Sequence, residues 1–192
     1  MSFFTLRHLV EAVVLLVFGR HVTAALRTFS PVKGERPAPL LQLFPIAMGI
    51  VIYKALTAPI DARLAAFGLP VFGGSLALYE WARRTVRGKF FSYAFSKDTP
   101  QFLLTSGPYA YIRNPFYSSY LLSFAGGAIL FPGIATLVTF GLMLLLFAKI
   151  ARHEERKFEK SALSAEYEVY RCRTGRFIPK LGRPSPASAQ KP

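Results

Sequence analysis

The sequence predicts an all-α integral membrane protein with four to five transmembrane helices, ending in a C-terminal helical hairpin and a cytoplasmic helix. Hydrophobic residues make up 52% and aromatic residues 15% of the 192-residue chain, more than an ordinary soluble domain of this size carries. The apolar residues also lie in long runs rather than in amphipathic stripes, which is typical of membrane-spanning segments.

Three apolar segments precede the hairpin. The first, 10–26, contains Glu11, so it either spans the membrane or lies in its interface. The second, 40–56, is a clearer span. The third, 64–81, contains several glycines and Pro70, which predict close approach of a neighbouring helix and a bend.

The last two apolar segments, 116–131 and 133–150, form the predicted hairpin. At ~1.5 Å of rise per residue they extend roughly 24 and 27 Å, close to the thickness of a bilayer core. Only a Pro132-Gly133 break separates them, which makes them antiparallel neighbours. A polar helix is expected to follow, ending at about Arg171.

The net charge of +14 results from 24 Lys and Arg against 10 Asp and Glu. In a soluble protein this excess would indicate nucleic acid binding, but here the basic residues follow the third and fifth apolar segments. That pattern indicates cytoplasmic loops and contact with anionic lipid headgroups. We therefore expect membrane lipids and no nucleic acid as partners, and a cytoplasmic C-terminus in a bacterial inner membrane.

Three units are predicted along the chain: N-terminal membrane segments (1–69), a core with the functional site (70–183) and a disordered tail (184–192). A polar, aromatic linker is expected at 89–105. Cys172 is the only cysteine, which excludes an internal disulfide, and no set of residues has the spacing of metal ligands. The sequence therefore predicts no metal site.

Two polar clusters, 106–117 and 152–155, lie at the two ends of the hairpin. Its closure would bring Arg113, Asn114 and Tyr117 beside the two glutamates of the second cluster. Polar groups gathered at a membrane face, next to a slot between helices, indicate a functional site.

Simpler interpretations of the same residues stay open. Asn114 and Pro115 suit the cap and the first position of a helix, with Arg113 against lipid phosphate. The tyrosines suit an interfacial aromatic belt, and the glutamates suit charge compensation for neighbouring basic residues.

The combination of these motifs resembles the isoprenylcysteine carboxyl methyltransferase and phospholipid methyltransferase family. The similarity rests on the stretch from Leu103 to Tyr117, the apolar hairpin, Arg152-His-Glu-Glu155, and Glu166-Tyr-Glu-Val-Tyr170 before Phe177-Ile-Pro179. Members are membrane enzymes that bind S-adenosylmethionine between the hairpin and the C-terminal segment and methylate lipophilic acceptors.

The resemblance implies a cofactor site for S-adenosylmethionine and two catalytic residues, Arg113 and Arg152. The implied cofactor-binding residues are Leu104, Gly107, Tyr109, Arg113, Asn114, Pro115, Tyr117, Glu154 and Glu155. The residue types fit this cofactor, which offers a carboxylate to an arginine, an ammonium and hydroxyls to a glutamate, and an adenine to aromatic rings.

Position 114 departs from the resemblance, because the family's usual residue there is histidine. Asn114 exchanges hydrogen bonds but does not titrate near neutral pH. A carboxylate acceptor is already ionised and needs no base, whereas an amine must lose protons. The change therefore favours a carboxyl or hydroxyl acceptor, such as an isoprenyl-cysteine-like lipid acid, over a phospholipid amine, or indicates that position 114 only orients the loop.

Two other classes of protein remain as alternatives. A sterol-reductase-like enzyme using NADPH shares a similar C-terminal hairpin, but such proteins are usually much longer. A non-catalytic membrane protein would use the polar clusters only to cap helices and bind headgroups. Truncation of Glu155 separates this last class from an enzyme, because a scaffold would keep its behaviour.

Overall fold

Five long helices form a bundle, and each lies where the sequence has one of its apolar segments. They are α1 (Phe3–Thr28), α2 (Leu43–Thr57), α3 (Ala62–Thr85), α4 (Pro115–Leu130) and α5 (Ile134–Glu159), and the shorter α6 (Ser164–Arg173) follows. The computed structural model describes residues 3–30, 42–87, 91–92, 100 and 102–180. Within them the all-α prediction is confirmed.

Two of the described helices, α3 and α5, are long and apolar enough to cross a membrane, and α2 is a shorter apolar helix. The other two bundle helices are α1, with 26 residues, and α4, with 16. The number of spans, four to five, stays a prediction.

The first helix lies along the bundle rather than across it. At one end the Arg7 guanidinium donates to the carbonyl of Leu56, at the end of α2. At the other end Arg20 Nε donates to Glu80 Oε1 of α3 over 3.1 Å. Contacts at both ends make α1 antiparallel to α2 and parallel to α3. We call the end that carries Glu80 the polar end.

A close contact joins α3 and α4 on the side away from the polar end. A Cβ added at Gly68 would lie 2.5 Å from Leu130 Cγ, and one at Gly126 would lie 2.8 Å from Phe72 Cδ2. The predicted close approach is therefore confirmed at Gly68. A Cβ at Gly73, in the same helix, would meet nothing within 4 Å.

Replacing Gly68 by valine is expected to destabilise the bundle by roughly 1–3 kcal/mol, the usual effect of overpacking a core. The branch point of Leu130, rather than a flexible chain end, faces the added carbon, so relief requires the helices to separate. Thermal unfolding in detergent measures the change. Gly73→Val is the control, and equal melting temperatures for the two variants would contradict this account of the contact.

A buried polar group lies where α1, α3 and α4 meet. His21 is fully buried, and its two ring nitrogens lie 3.5 Å from the hydroxyl oxygens of Ser75 and Ser123. Ser75 donates to the backbone carbonyl of Ser119 over 2.7 Å. The His21 ring also contacts the ring of Tyr120, with centroids 4.9 Å apart. These contacts join α1 to the centre of the bundle.

Two features differ from the expectations. The polar helix expected to end at about Arg171 is two helices, because α5 continues to Glu159 and a turn around Ser161 separates it from α6. A two-residue strand, β1 (Phe29–Ser30), pairs in parallel with β2 (Phe91–Ser92). The predicted tail, 184–192, and most of the predicted linker lie outside the described residues.

Candidate active site at the polar end

The closed hairpin brings the two polar clusters together. The Tyr117 hydroxyl, in the first turn of α4, donates to Glu154 Oε1 of α5 over 2.7 Å. Arg113 Nε, just before α4, donates to Glu155 Oε1 over 3.0 Å. Neighbouring helix positions point about 100° apart, so the two glutamates take different partners. Glu155 is buried, whereas Glu154 is half-buried.

Glu155 joins two arginines that are distant in the sequence. Its carboxylate binds Arg113 and also Arg176, whose Nη2 lies 2.6 Å from Oε2. The hydrogen bond from Arg176 to this carboxylate raises the pKa of the Arg176 guanidinium. Arg113 Nη1 also donates to the backbone carbonyls of Arg171 and Thr174. We call Glu155, Arg113 and Arg176 the Glu155 clamp.

The segment after α6 folds back onto the entrance of α4. Ile112 and Gly175 form a parallel bridge, in which Arg113 N donates to Gly175 O over 2.8 Å and Gly175 N donates to Tyr111 O over 3.1 Å. Ser118 Oγ then donates to Phe177 O over 2.8 Å. The C-terminal segment and the hairpin thus form one unit at the polar end.

Residues 174–176 are the part of this unit that no sequence motif singled out. Arg176 was counted only among the basic residues, and Gly175 was not considered. No local signal marks Gly175, because the predicted helix ends about four residues before it and its φ is not in the left-handed region that favours glycine.

The capping interpretation is confirmed for Pro115 but not for the Asn114 side chain. Pro115 occupies the first helical position of α4, as that interpretation expects. The Asn114 side chain makes no capping hydrogen bond; its Nδ2 donates to Arg176 O over a long 3.4 Å. Asn114 therefore contacts the C-terminal segment, which fits the hypothesis that position 114 orients the loop.

The 3-10 turn Gly107–Ala110 seats the loop before α4 against α3 and α6. Gly107 has φ of 59°, and a Cβ there would lie 2.3 Å from Thr85 Oγ1, so this position needs glycine. Tyr109 is buried, and its backbone carbonyl accepts a 2.8 Å hydrogen bond from the Tyr170 hydroxyl. Leu104, just before the turn, is buried as well.

Two further side chains, Arg152 of α5 and Tyr167 of α6, differ in exposure. Arg152 is exposed on α5, one turn before Glu155. Tyr167 of α6 is buried, stacks on Phe158 with ring centroids 4.9 Å apart, and interacts electrostatically with Glu155. Its hydroxyl is buried and has no hydrogen-bond partner in the described part of the chain, which is uncommon for a buried polar group.

An aromatic wall continues from Tyr117 into the bundle. Tyr117 stacks on Phe147 of α5, with centroids 5.3 Å apart and an interplanar angle of 15°. Phe147 also contacts Tyr120, and Phe44 of α2 packs against both of these rings. The half-buried carboxylate of Glu154 therefore lies at the polar edge of an apolar, aromatic interior.

The sequence model of one protein family, described as phospholipid methyltransferase, matches residues 62–165. The chain belongs to this family. No curated protein matches the chain. The phospholipid methyltransferase family comprises integral membrane methyltransferases and includes the isoprenylcysteine carboxyl methyltransferases, so the resemblance in the sequence is confirmed. The match covers α3, α4 and α5, whereas α1 and α2 lie outside it.

Proposed function

We propose that this membrane methyltransferase uses S-adenosylmethionine as methyl donor and holds it at the polar end, between α4, α5 and the C-terminal segment. The observation that carries the proposal is the Tyr117–Glu154 pair beside the Glu155 clamp, at the edge of an aromatic wall. A carboxylate next to aromatic rings suits a ligand that carries an ammonium and a sulfonium.

The residues at the polar end fit this cofactor by their chemistry. Glu154 accepts hydrogen bonds from an ammonium or from hydroxyls, and Tyr117 fixes the carboxylate that does so. Tyr109 and Tyr167 supply buried aromatic surface for an adenine. When bound, S-adenosylmethionine supplies an activated methyl group, and the chain's own part is to orient both reactants and exclude water.

The Glu155 clamp has a different part in the proposal. Because Arg113 is bound to Glu155 and to two backbone carbonyls, its main effect is to hold the C-terminal segment over the hairpin. Arg152 is the other of the two arginines that the resemblance implies as catalytic. It is exposed on α5, one turn before Glu155. We propose that Arg152 orients the acceptor.

We further propose that the acceptor is the carboxyl group of a lipophilic acid, such as an isoprenyl-cysteine. Asn114 stands where a titratable histidine is usual and contacts the C-terminal segment. An ionised carboxylate needs no base at that position. The competing acceptor is a phospholipid amine, and the description of the matched family names phospholipids.

The positive charge supports a membrane orientation with the polar end in the cytoplasm. Arg83 and Arg84 end α3, and Arg156 and Lys157 lie in the last turn of α5, at the same end of the bundle. Basic residues concentrate on the cytoplasmic side of membrane proteins. In that orientation donor and C-terminal segment meet in the cytoplasm, while the acceptor arrives from the lipid.

Calorimetric titration of the detergent-purified protein with S-adenosylmethionine tests the donor. We expect micromolar binding that Glu154→Gln weakens about tenfold, since one charge-assisted contact is lost, equivalent to about 1.4 kcal/mol. The control is Glu168→Gln, whose exposed pair with Arg171 is expected to leave affinity unchanged. Absence of binding to folded wild-type protein would exclude the donor.

Transfer of a labelled methyl group tests the acceptor. We expect methylation of N-acetyl-S-farnesyl-cysteine and none of phosphatidylethanolamine vesicles. A product that is stable to base and is formed only from phosphatidylethanolamine would instead establish the amine acceptor, because methyl esters are hydrolysed by base.

A further inference from the structure

The exposed face of α5 changes from apolar to basic near the polar end. Its exposed side chains recur every three or four residues, which is the spacing of one helical face, in the order Val138, Leu142, Leu145, Lys149, Arg152 and Arg156. The apolar half of this face is the kind of surface that a helix presents to lipid chains. We call Lys149, Arg152 and Arg156 the basic face.

The basic face lies at the depth of the lipid headgroups. Counted from Ile134, where α5 begins, Lys149 lies ~22 Å and Arg156 ~33 Å along the helix axis, against a hydrocarbon core of about 30 Å. Trp81, ~28 Å from the start of α3, indicates the same depth. Its exposed ring lies 6.3 Å from the exposed ring of Tyr111, between centroids, and such rings are typical of the membrane–water interface.

No carboxylate neutralises the basic face in the part of the chain that the structure describes. Within that part none of its three side chains makes an ion pair, whereas Arg171 of the neighbouring α6 pairs with Glu168. Unpaired cations above lipid-facing leucines fit an anionic phospholipid, which offers a phosphate and acyl chains together. A free phosphate ion would use the charge alone.

The charge of the basic face acts against the donor of the proposed function. S-adenosylmethionine carries a sulfonium, an ammonium and a carboxylate, so it is a net cation. The Glu155 clamp already has two arginines for one carboxylate. Arg152 and Arg156 both lie within one helical turn of Glu154, and charges this close are only partly screened by salt. Neutralising the basic face would therefore favour the donor.

We propose that the basic face binds an anionic phospholipid, and that this lipid strengthens donor binding by neutralising the positive charge there. The inference rests on the proposed function and adds to it a regulation of the donor site by the lipid composition of the membrane. In the proposed orientation the basic face meets the cytoplasmic leaflet, which is the anionic one. Coupling between two sites is reciprocal, so the donor also strengthens binding of the lipid.

Calorimetric titration of the full-length protein in lipid nanodiscs with S-adenosylmethionine tests the coupling. One set of discs contains phosphatidylcholine alone, and the other contains phosphatidylcholine mixed with phosphatidylglycerol. We expect about fivefold tighter donor binding in the second set, the low end of the usual coupling between two sites. Sodium phosphate, added to the phosphatidylcholine discs at constant ionic strength, is expected to change nothing. An equal effect of free phosphate would overturn the assignment to a lipid.

The double variant Lys149→Gln/Arg156→Gln distinguishes a charge effect from a structural one. Arg152 is kept, because the proposed function gives it to the acceptor. In phosphatidylcholine we expect the variant to bind the donor more tightly than the wild type does, because the repelling charge is gone, whereas loss of a structural contact would weaken binding. Arg63→Gln removes an exposed charge at the opposite end of the bundle and is expected to keep the full lipid effect.

The outcomes separate this inference from the proposed function. Absence of donor binding in both kinds of disc removes the proposed function itself. Donor binding with the same lipid effect in the wild type and the double variant, or with weaker binding by the double variant in phosphatidylcholine, overturns the lipid site. The general attraction of a cationic donor to anionic discs is the same for every variant, so the difference between variants measures the basic face. The substituted side chains are exposed, so the variants are expected to fold.

Discussion

Replacing Glu155 by glutamine is expected to abolish measurable binding of S-adenosylmethionine and to destabilise the protein. The substitution leaves Arg113, whose side chain is 10% exposed, without its carboxylate. The expected loss of stability is roughly 3 kcal/mol, the low end for breaking a buried ion pair, since Arg176 is 34% exposed. Donor binding fails because the C-terminal segment no longer closes on α4.

Glu80→Gln is the matched control for this variant. Glu80 also pairs with two arginines, Arg20 and Arg83, but joins α1 to α3 instead of closing the candidate active site. We expect it to lower the melting temperature while the donor affinity of the folded protein is kept. If both variants reduced affinity equally, the clamp would have no specific part in donor binding.

Replacing Gly175 by alanine is expected to weaken donor binding strongly while the bundle stays folded. An added Cβ would lie 1.7 Å from the backbone carbonyl oxygen of Ile178, and neither group can move without shifting the chain. The bridge to Ile112 would then break. A loss of at least about 1.4 kcal/mol of binding free energy, or tenfold in Kd, is expected in calorimetric titration.

The folding of the helices in the Gly175 variant is measured separately from its donor binding. Helix content by circular dichroism is expected to be unchanged, because residue 175 lies outside α6 and the other described helices. Gly73→Ala, at a position with free space around it, is the control for an added methyl group. Unchanged affinity in Gly175→Ala would show that the C-terminal segment does not need to close for donor binding.

The helices were predictable because hydropathy marks them directly. The apolar segment at 133–150 gave the position of α5, but the helix continues to Glu159. Hydropathy indicates where a helix meets lipid, not where its hydrogen bonds stop, so the polar extension was misassigned to the next helix. The pairing of Phe29–Ser30 with Phe91–Ser92 joins segments far apart in the chain and has no local pattern.

Within the candidate site, only the contacts that follow from hairpin closure were predictable from the sequence. A short turn between two helices of similar length brings Tyr117 to Glu154 and Arg113 to Glu155. The choice of Arg176 as second partner of Glu155 was not predictable, because several arginines follow α5 and the sequence does not rank them. That choice depends on how the segment after α6 turns back, which a tertiary contact decides.

The buried position of His21 also bears on how the protein is made. The chain emerges from the ribosome with α1 first, whereas the two serines that contact this imidazole belong to α3 and α4. Until those helices are made, the imidazole lacks both serine partners, and a buried polar group without a hydrogen-bond partner is costly. The contacts that bury His21 therefore form only after the fourth helix has been synthesised, whichever position α1 takes first.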